Sequence, residues 1–409
     1  MKFRSDYIFI LGLALLCSCR TKRNRNYNQE ENYAKGTFGY DLNFLKSKDS
    51  VVVLKSNDGI SQVIVSAKYQ GKVFTSTADG DEGKSFGWIN YKAFDAATDP
   101  HMNVYGGEDR LWLGPEGGKF ALFFKPGTKM EFANWHTPAA IDHESWTITS
   151  KNNKQVSLTK DMSLSNYAGT QLDLKVDRNI SLLERADIQE ALSIQLGSSV
   201  KAVGIKTVNG ITNTGTTAWT TQTGAPCLWS LDMFTPSPHT TIVIPYKENA
   251  EGKVATTDYF GQIPPNRVTY KNGYLFFKAD GKSRGKLGMA ARRTKAMAGS
   301  YDAVNNVLTI TLFDVSSKAT YLNQEWTPDK NPLVGDAANS YNDGPLADGT
   351  QLGPFYEIES VSPGAFLKPG EKLTHQHCIF HFTGDKASLN NIAVKTLGVS
   401  LNVIQGALK

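Results

Sequence analysis

Apolar and polar residues alternate singly along most of this chain, in runs of five to a dozen positions broken by Gly, Asn, Asp and Pro. Side chains on a β-strand point alternately to opposite faces, so a period of two predicts strands with one face turned to a core. The stretches SWTITS, QVSLTKDMSL and TQLDLKVDRNISLL between Ser145 and Leu183 read this way, as do 50–54, 62–67 and 72–76, with a turn at Ser56-Asn57-Asp58-Gly59. Two further hairpins are predicted over 267–278, turning at Lys271-Asn272-Gly273, and 286–313, turning at 303–306. A helical period is confined to 184–196, ERADIQEALSIQL, with 38–46 a short helix or turn. Residues 323–352 read as a long polar loop, a candidate pocket wall. Many strands, one short helix and no alternation of strands with helices predict an all-β sandwich.

The stretch that concentrates chemistry is GPFYEIESVSPGAFLKPGEKLTHQHCIFHF, from Gly353 to Phe382. It reads as a β-hairpin of strands 355–361 and 372–382, its loop marked by Ser362-Pro363-Gly364 and Lys368-Pro369-Gly370. Alternation puts Glu357 and Glu359 on one face, and His375, His377 and His381 on one face of the partner. A solvated polar strand would give the same alternation, but with Lys, Thr and Ser more than with groups whose pKa a pocket can bring near neutrality. The i, i+2 histidines could also face one ion; structural or solvent-facing imidazoles are the ordinary reading, and no metal or cofactor is expected.

A second block, YGGEDRLWLGPEGGKFALFF from Tyr105 to Phe124, sets Glu108, Asp109 and Arg110 beside Trp112. Charged groups beside an aromatic face suit a polyhydroxylated ring, because the ring's C–H bonds stack on the aromatic while its hydroxyls bond the charges. A structural Arg–carboxylate pair at a strand end is the alternative. Trp219, Trp229, Asp232, Phe234 and His239 fall in a Pro-punctuated region further on.

Composition narrows the class. The chain has 409 residues, 40% hydrophobic and 20% charged, which is globular and large enough for one big β domain or two smaller ones. The net charge of +5 sits partly in Arg20, Lys22, Arg23 and Arg25, so no basic face calls for nucleic acid. At the start, Lys2 and Arg4 precede an apolar run over 7–16, a secretory signal too short for a comfortable permanent span. Leu16-Cys17-Ser18-Cys19 resembles a bacterial lipobox, with Cys19 as the lipidated residue; an ordinary signal peptide cut nearby is the alternative. The expected organisation is a signal at 1–18, a polar tether at 19–35 and one domain at 36–409, in the cell envelope and lipid-anchored. Pairing of Cys227 with Cys378 is left open. P-loop, dinucleotide-binding, zinc-finger and nucleophile-elbow spacings are absent from the sequence.

Three stretches resemble the galactose mutarotase-like (aldose 1-epimerase-like) superfamily: Gly106-Gly107-Glu108-Asp109-Arg110-Leu111-Trp112, Ile211-Thr212-Asn213-Thr214-Gly215, and Tyr356-Glu357-Ile358-Glu359 followed by Leu367-Lys368-Pro369-Gly370-Glu371. The resemblance implies a β-supersandwich whose concave sheet holds a sugar. A Glu takes the anomeric proton while a His serves the ring oxygen. It makes Glu357 the base, with Glu359 as fallback, and Arg110 a hydroxyl clamp. Glu108, Trp112, Trp229, Asp232 and His239 are further substrate contacts. The His before Pro-Tyr-Phe-Asn that usually supplies the acid is missing; the region reads Pro226 to Phe234, PCLWSLDMF. Either the acid has moved, to His239, His375 or His377, or the fold is kept and epimerase activity is lost. Arg110, Glu357 and at least one of His375 and His377 are expected to line one pocket. The functional alternatives are a sugar epimerase, a lipid-anchored glycan-binding protein without turnover, and a related carbohydrate-active enzyme or accessory domain.

Overall fold

A computed structural model describes residues 32–408; the signal, Cys19 and most of the tether lie outside the described residues. From Tyr33 onwards the chain packs as one compact unit.

All strand pairing between named strands is antiparallel, in three sheets of three, ten and five strands. The small sheet is Val52–Lys55, Gln62–Ser66 and Lys72–Thr77. The large sheet runs from Val268–Lys271 at one edge, through Val307–Phe313, Lys372–Thr383 and Lys201–Asn213 at its centre, to Thr147–Lys151 at the other. The five-stranded sheet is ordered Gly285–Ala290, Asp336–Asn342, Tyr356–Val361, Cys227–Phe234, Arg110–Gly114. Among the described residues no helix is long and apolar enough to cross a membrane.

The five-stranded sheet lies against the large one, and period-two alternation sorts the side chains. Leu111, Leu113 and Leu228 join Leu174, Val176 and Ile205 in one core, while Phe234, Ile358 and Met289 join Ile242, Phe277 and Ile379 in another. The outer face of the large sheet is covered by Arg185–Leu192, Lys386–Thr396 and Leu401–Gly406. Their Ile188, Leu389, Ile392 and Ile404 pack on Phe276, Leu308, Phe380 and Phe382. Burial of these apolar side chains, about 1.5–3 kcal/mol each, is what fixes both layers.

The structure corrects three expectations. Tyr356–Val361 and Lys372–Thr383 are not a hairpin: the first pairs with Asp336–Asn342 and Cys227–Phe234, the second with Val307–Phe313 and Lys201–Asn213. The segment 362–371 crosses from one sheet to the other. Alternation fixes faces within a strand but not the pairing partner, and so long a connection, unlike a two-residue turn, leaves the partner free. The polar loop 323–352 contains the strand Asp336–Asn342, DAANSYN, every residue of it buried; its polar groups are held by the ladder, so hydropathy does not reveal it. Residues 286–313 form one true hairpin, Met297–Asp302 with Val307–Phe313, while Gly285–Ala290 belongs to the other sheet. Phe38–Lys46 is a helix, as is Arg185–Leu192, and with the two C-terminal helices they are the few short helices of this β fold. Cys227 and Cys378 are buried free thiols in different sheets, and burial pushes them up to about 12 and about 11.

Candidate active site

The outward face of the five-stranded sheet is the floor of a cavity of about 150 Å³. In register, Lys286 lies opposite Tyr341, Tyr341 opposite Glu357, and Glu357 opposite Met233; beside this row Arg110 lies opposite Leu231. Trp112 and Trp229, also paired, complete the floor. Around it, Trp135, Trp326, Phe132 and Phe260 form aromatic walls, with Trp135 and Trp326 stacked at 5.9 Å.

The floor carries two ionic groups. The Arg110 guanidinium donates to the Glu357 carboxylate and lies 5.0 Å from the Trp112 ring centre. The Lys286 ammonium sits 3.3 Å from Glu359, 3.8 Å from Glu116 and 4.4 Å from the centre of the Trp229 ring. The Trp229 indole N–H donates to Glu359 Oε2 at 2.9 Å. Burial pushes the Glu357 carboxyl up to about 8, against the pull of Arg110. Burial likewise raises Glu116, with Lys286 opposing. Burial opposes the Lys286 charge, but Glu359, Glu116 and Glu357 together raise its pKa. A carboxyl group poised near neutrality, on a floor of aromatic rings and fixed N–H donors, suits acid–base chemistry.

Of the residues singled out from sequence, Arg110, Trp112, Trp229 and Glu357 line this cavity. Glu359 shares the face of Glu357 but is fully covered, held by Trp229 and Lys286. The remainder are elsewhere, and the expectation that His375 or His377 shares the pocket with Glu357 is corrected. Their strand belongs to the large sheet, where 375, 377 and 381 point into the space between the sheets. Ser360, on the opposite side of its strand from Glu357 and Glu359, bonds both His375 Nε2 and His377 Nδ1 at 2.8 Å. Asp232 also points inward and bonds His377 Nε2 at 2.8 Å. Burial lifts Asp232 to about 7; burial opposes the His377 charge, but Asp232 beside it holds the imidazole above its usual value. Glu108 is buried against Ser76 at 2.6 Å and His381 at 3.1 Å. Alternation from Arg110 and Trp112 would turn it outward, but the strand starts at Arg110 and Glu108 sits in a bend before it, just after Gly106 and Gly107 at φ 86° and 133°. A Cβ on Gly106 would lie 2.2 Å from the Trp88 carbonyl oxygen, so only glycine allows this approach. His239 is exposed on the loop before Thr240–Pro245, outside the cavity lining. Among the described residues no cluster of three His, Cys, Asp or Glu side chains is placed to hold a metal ion.

Sequence reasoning missed Lys286, Arg284, Tyr341, Glu116, Trp326 and His101, all of which line the cavity. The spacing of Arg284 and Lys286, two basic residues two apart against apolar Leu287 and Met289, was the available signal. His101 is the imidazole in the lining: its Nδ1 meets the Trp135 carbonyl at 2.6 Å, so Nδ1 carries the proton and Nε2 is left for a ligand.

The model of a family of unknown function, DUF6786, matches residues 36–408. No curated protein matches. Among solved structures, a protein of Synechocystis sp. PCC 6803 superposes with a TM-score of 0.50 at 12% identity, over 83% of this chain and 97% of that one, a likeness of fold alone. A galactose mutarotase-like protein from Lactobacillus casei ATCC 334 scores 0.47 at 11% identity, over 81% and 100%. A galactose mutarotase related enzyme from Lactobacillus acidophilus scores 0.41 at 10%, over 82% and 97%.

Proposed function

The chain belongs to the DUF6786 family, a family of unknown function, and we propose that its cavity binds a sugar ring and exchanges protons at the anomeric centre. The observation that carries this reading is Glu357, raised to about 8, placed against Arg110 on a floor shared with Trp112 and Trp229. Aromatic faces stack on sugar C–H bonds, and the charged groups orient hydroxyls. In this reading the Glu357 carboxylate takes the anomeric hydroxyl proton while His101, protonated on both ring nitrogens, gives its Nε2 proton to the ring oxygen as the bond from the anomeric carbon to that oxygen breaks; the open aldehyde recloses by the reverse transfers with either configuration. The working form has Glu357 deprotonated, so its titration sets the rising limb of the pH profile, near 8.

The test is polarimetric mutarotation of aldoses alongside calorimetric binding. Glu357→Gln keeps the shape and removes the base; it is expected to abolish catalysed mutarotation while sugar still binds. A wild-type protein that binds a sugar and never accelerates its mutarotation leaves the second reading, a glycan-binding protein. That reading is supported by the burial of His375 and His377 away from the floor. A lipid anchor at Cys19 belongs to both readings.

A further inference from the structure

Three cations line the cavity, and two have carboxylates of their own. Arg110 is paired with Glu357, and Lys286 with Glu359 and Glu116. The third, Arg284, stands just before the Gly285–Ala290 strand and is half-buried in the lining. Its guanidinium lies 4.1 Å from the centre of the Phe260 ring. Its Nε donates to the Tyr341 hydroxyl at 3.2 Å, and that hydroxyl donates to Asp343 Oδ1 at 2.9 Å. Among the described residues no acceptor meets its two terminal nitrogens, and no carboxylate lies within ion-pair distance of it. The guanidinium plane is thus fixed from behind and beneath, while its terminal N–H groups remain for a ligand. Glu116, the lining carboxylate whose charge interacts with Arg284, is occupied by Lys286, and burial raises its pKa.

We propose that Arg284 is an anion-recognition residue and that the ligand is an acidic sugar, carrying a ring carboxylate or an ester phosphate or sulfate. This rests on the sugar-binding reading above. A planar guanidinium fork matches the two oxygens of a carboxylate or of a phosphoryl or sulfuryl group, and both hydrogen bonds are charge-assisted. The Tyr341–Asp343 relay holds the fork in place before the ligand arrives, which lowers the ordering cost of binding. Arg284 and Glu357 line one cavity, Tyr341 bonding the first and lying opposite the second in the ladder, so a single ring could reach both.

The experiment is calorimetric titration of the full chain in detergent with galactose, galacturonate, galactose 6-phosphate and galactose 6-sulfate, for wild type, Arg284→Met and Arg284→Lys. Wild type is expected to bind at least one of the acidic sugars about tenfold or more tighter than galactose. That preference shrinks with added salt. Which acidic sugar it favours separates a ring carboxylate from an ester anion. Arg284→Met is expected to erase the preference, so that acidic and neutral sugars bind alike, with circular dichroism and thermal unfolding reporting that the variant is folded; Arg284→Lys retains part of the preference. Equal binding of neutral and acidic sugars by wild type, or a preference that survives Arg284→Met, overturns the assignment and leaves the sugar-binding reading standing. Binding of none of the four overturns both.

Discussion

His375 offers a test of the inter-sheet polar layer that does not depend on function. The imidazole is fully buried, its Nε2 bonded to Ser360, and burial followed by the charge of His377 lowers its pKa from 6.5 to about 3. A group whose folded pKa lies below its unfolded value stays unprotonated in the fold while the unfolded chain takes up a proton. Its contribution is therefore present above pH 6.5 and is lost as pH falls from 6.5 towards 3. At pH 4.5 the unfolded histidine is two pH units below its pKa, so acid costs the fold about 2–3 kcal/mol through this one residue. His375→Gln keeps a polar side chain for Ser360 and removes the titration. Denaturant unfolding of both proteins at pH 7.5 and 4.5 gives a double difference in which other titrating groups largely cancel. Acidification is expected to cost wild type about 2–3 kcal/mol more than the variant. Parallel losses in the two proteins would show that His375 is not held neutral by burial, and the account of the layer between the sheets would fail.

Trp229→Phe keeps the aromatic floor but removes the N–H that meets Glu359 at 2.9 Å. It is expected to lower stability by about 1–3 kcal/mol in urea unfolding, since the buried carboxylate oxygen keeps Lys286 at 3.3 Å but loses its indole donor. Cys19→Ala is expected to move the protein from the membrane fraction to the soluble one, checked by fractionation after a carbonate wash; retention in membranes would place the anchor elsewhere.

The pattern of residues by itself was sufficient for the all-β class, most strand positions and the faces within each strand, because a period of two follows from backbone geometry alone. It placed Glu357 and Glu359 on one face, and brought Arg110, Trp112 and Trp229 forward as the aromatic and ionic part of a site. What it left open is which strand pairs with which. Strand pairing is a long-range choice, made by the total apolar area buried between sheets and not by residues local to either strand. So Glu357 and His375, read as cross-strand neighbours, stand on opposite sides of a sheet; Ser360 meets the histidines while Glu357 meets Arg110. Glu108 turned inward because it lies in a bend ahead of the strand that starts at Arg110, where alternation does not yet apply. Lys286, Arg284 and Tyr341 entered the site because Gly285–Ala290 and Asp336–Asn342 close the edge of the five-stranded sheet, an arrangement that exists only once the chain has folded.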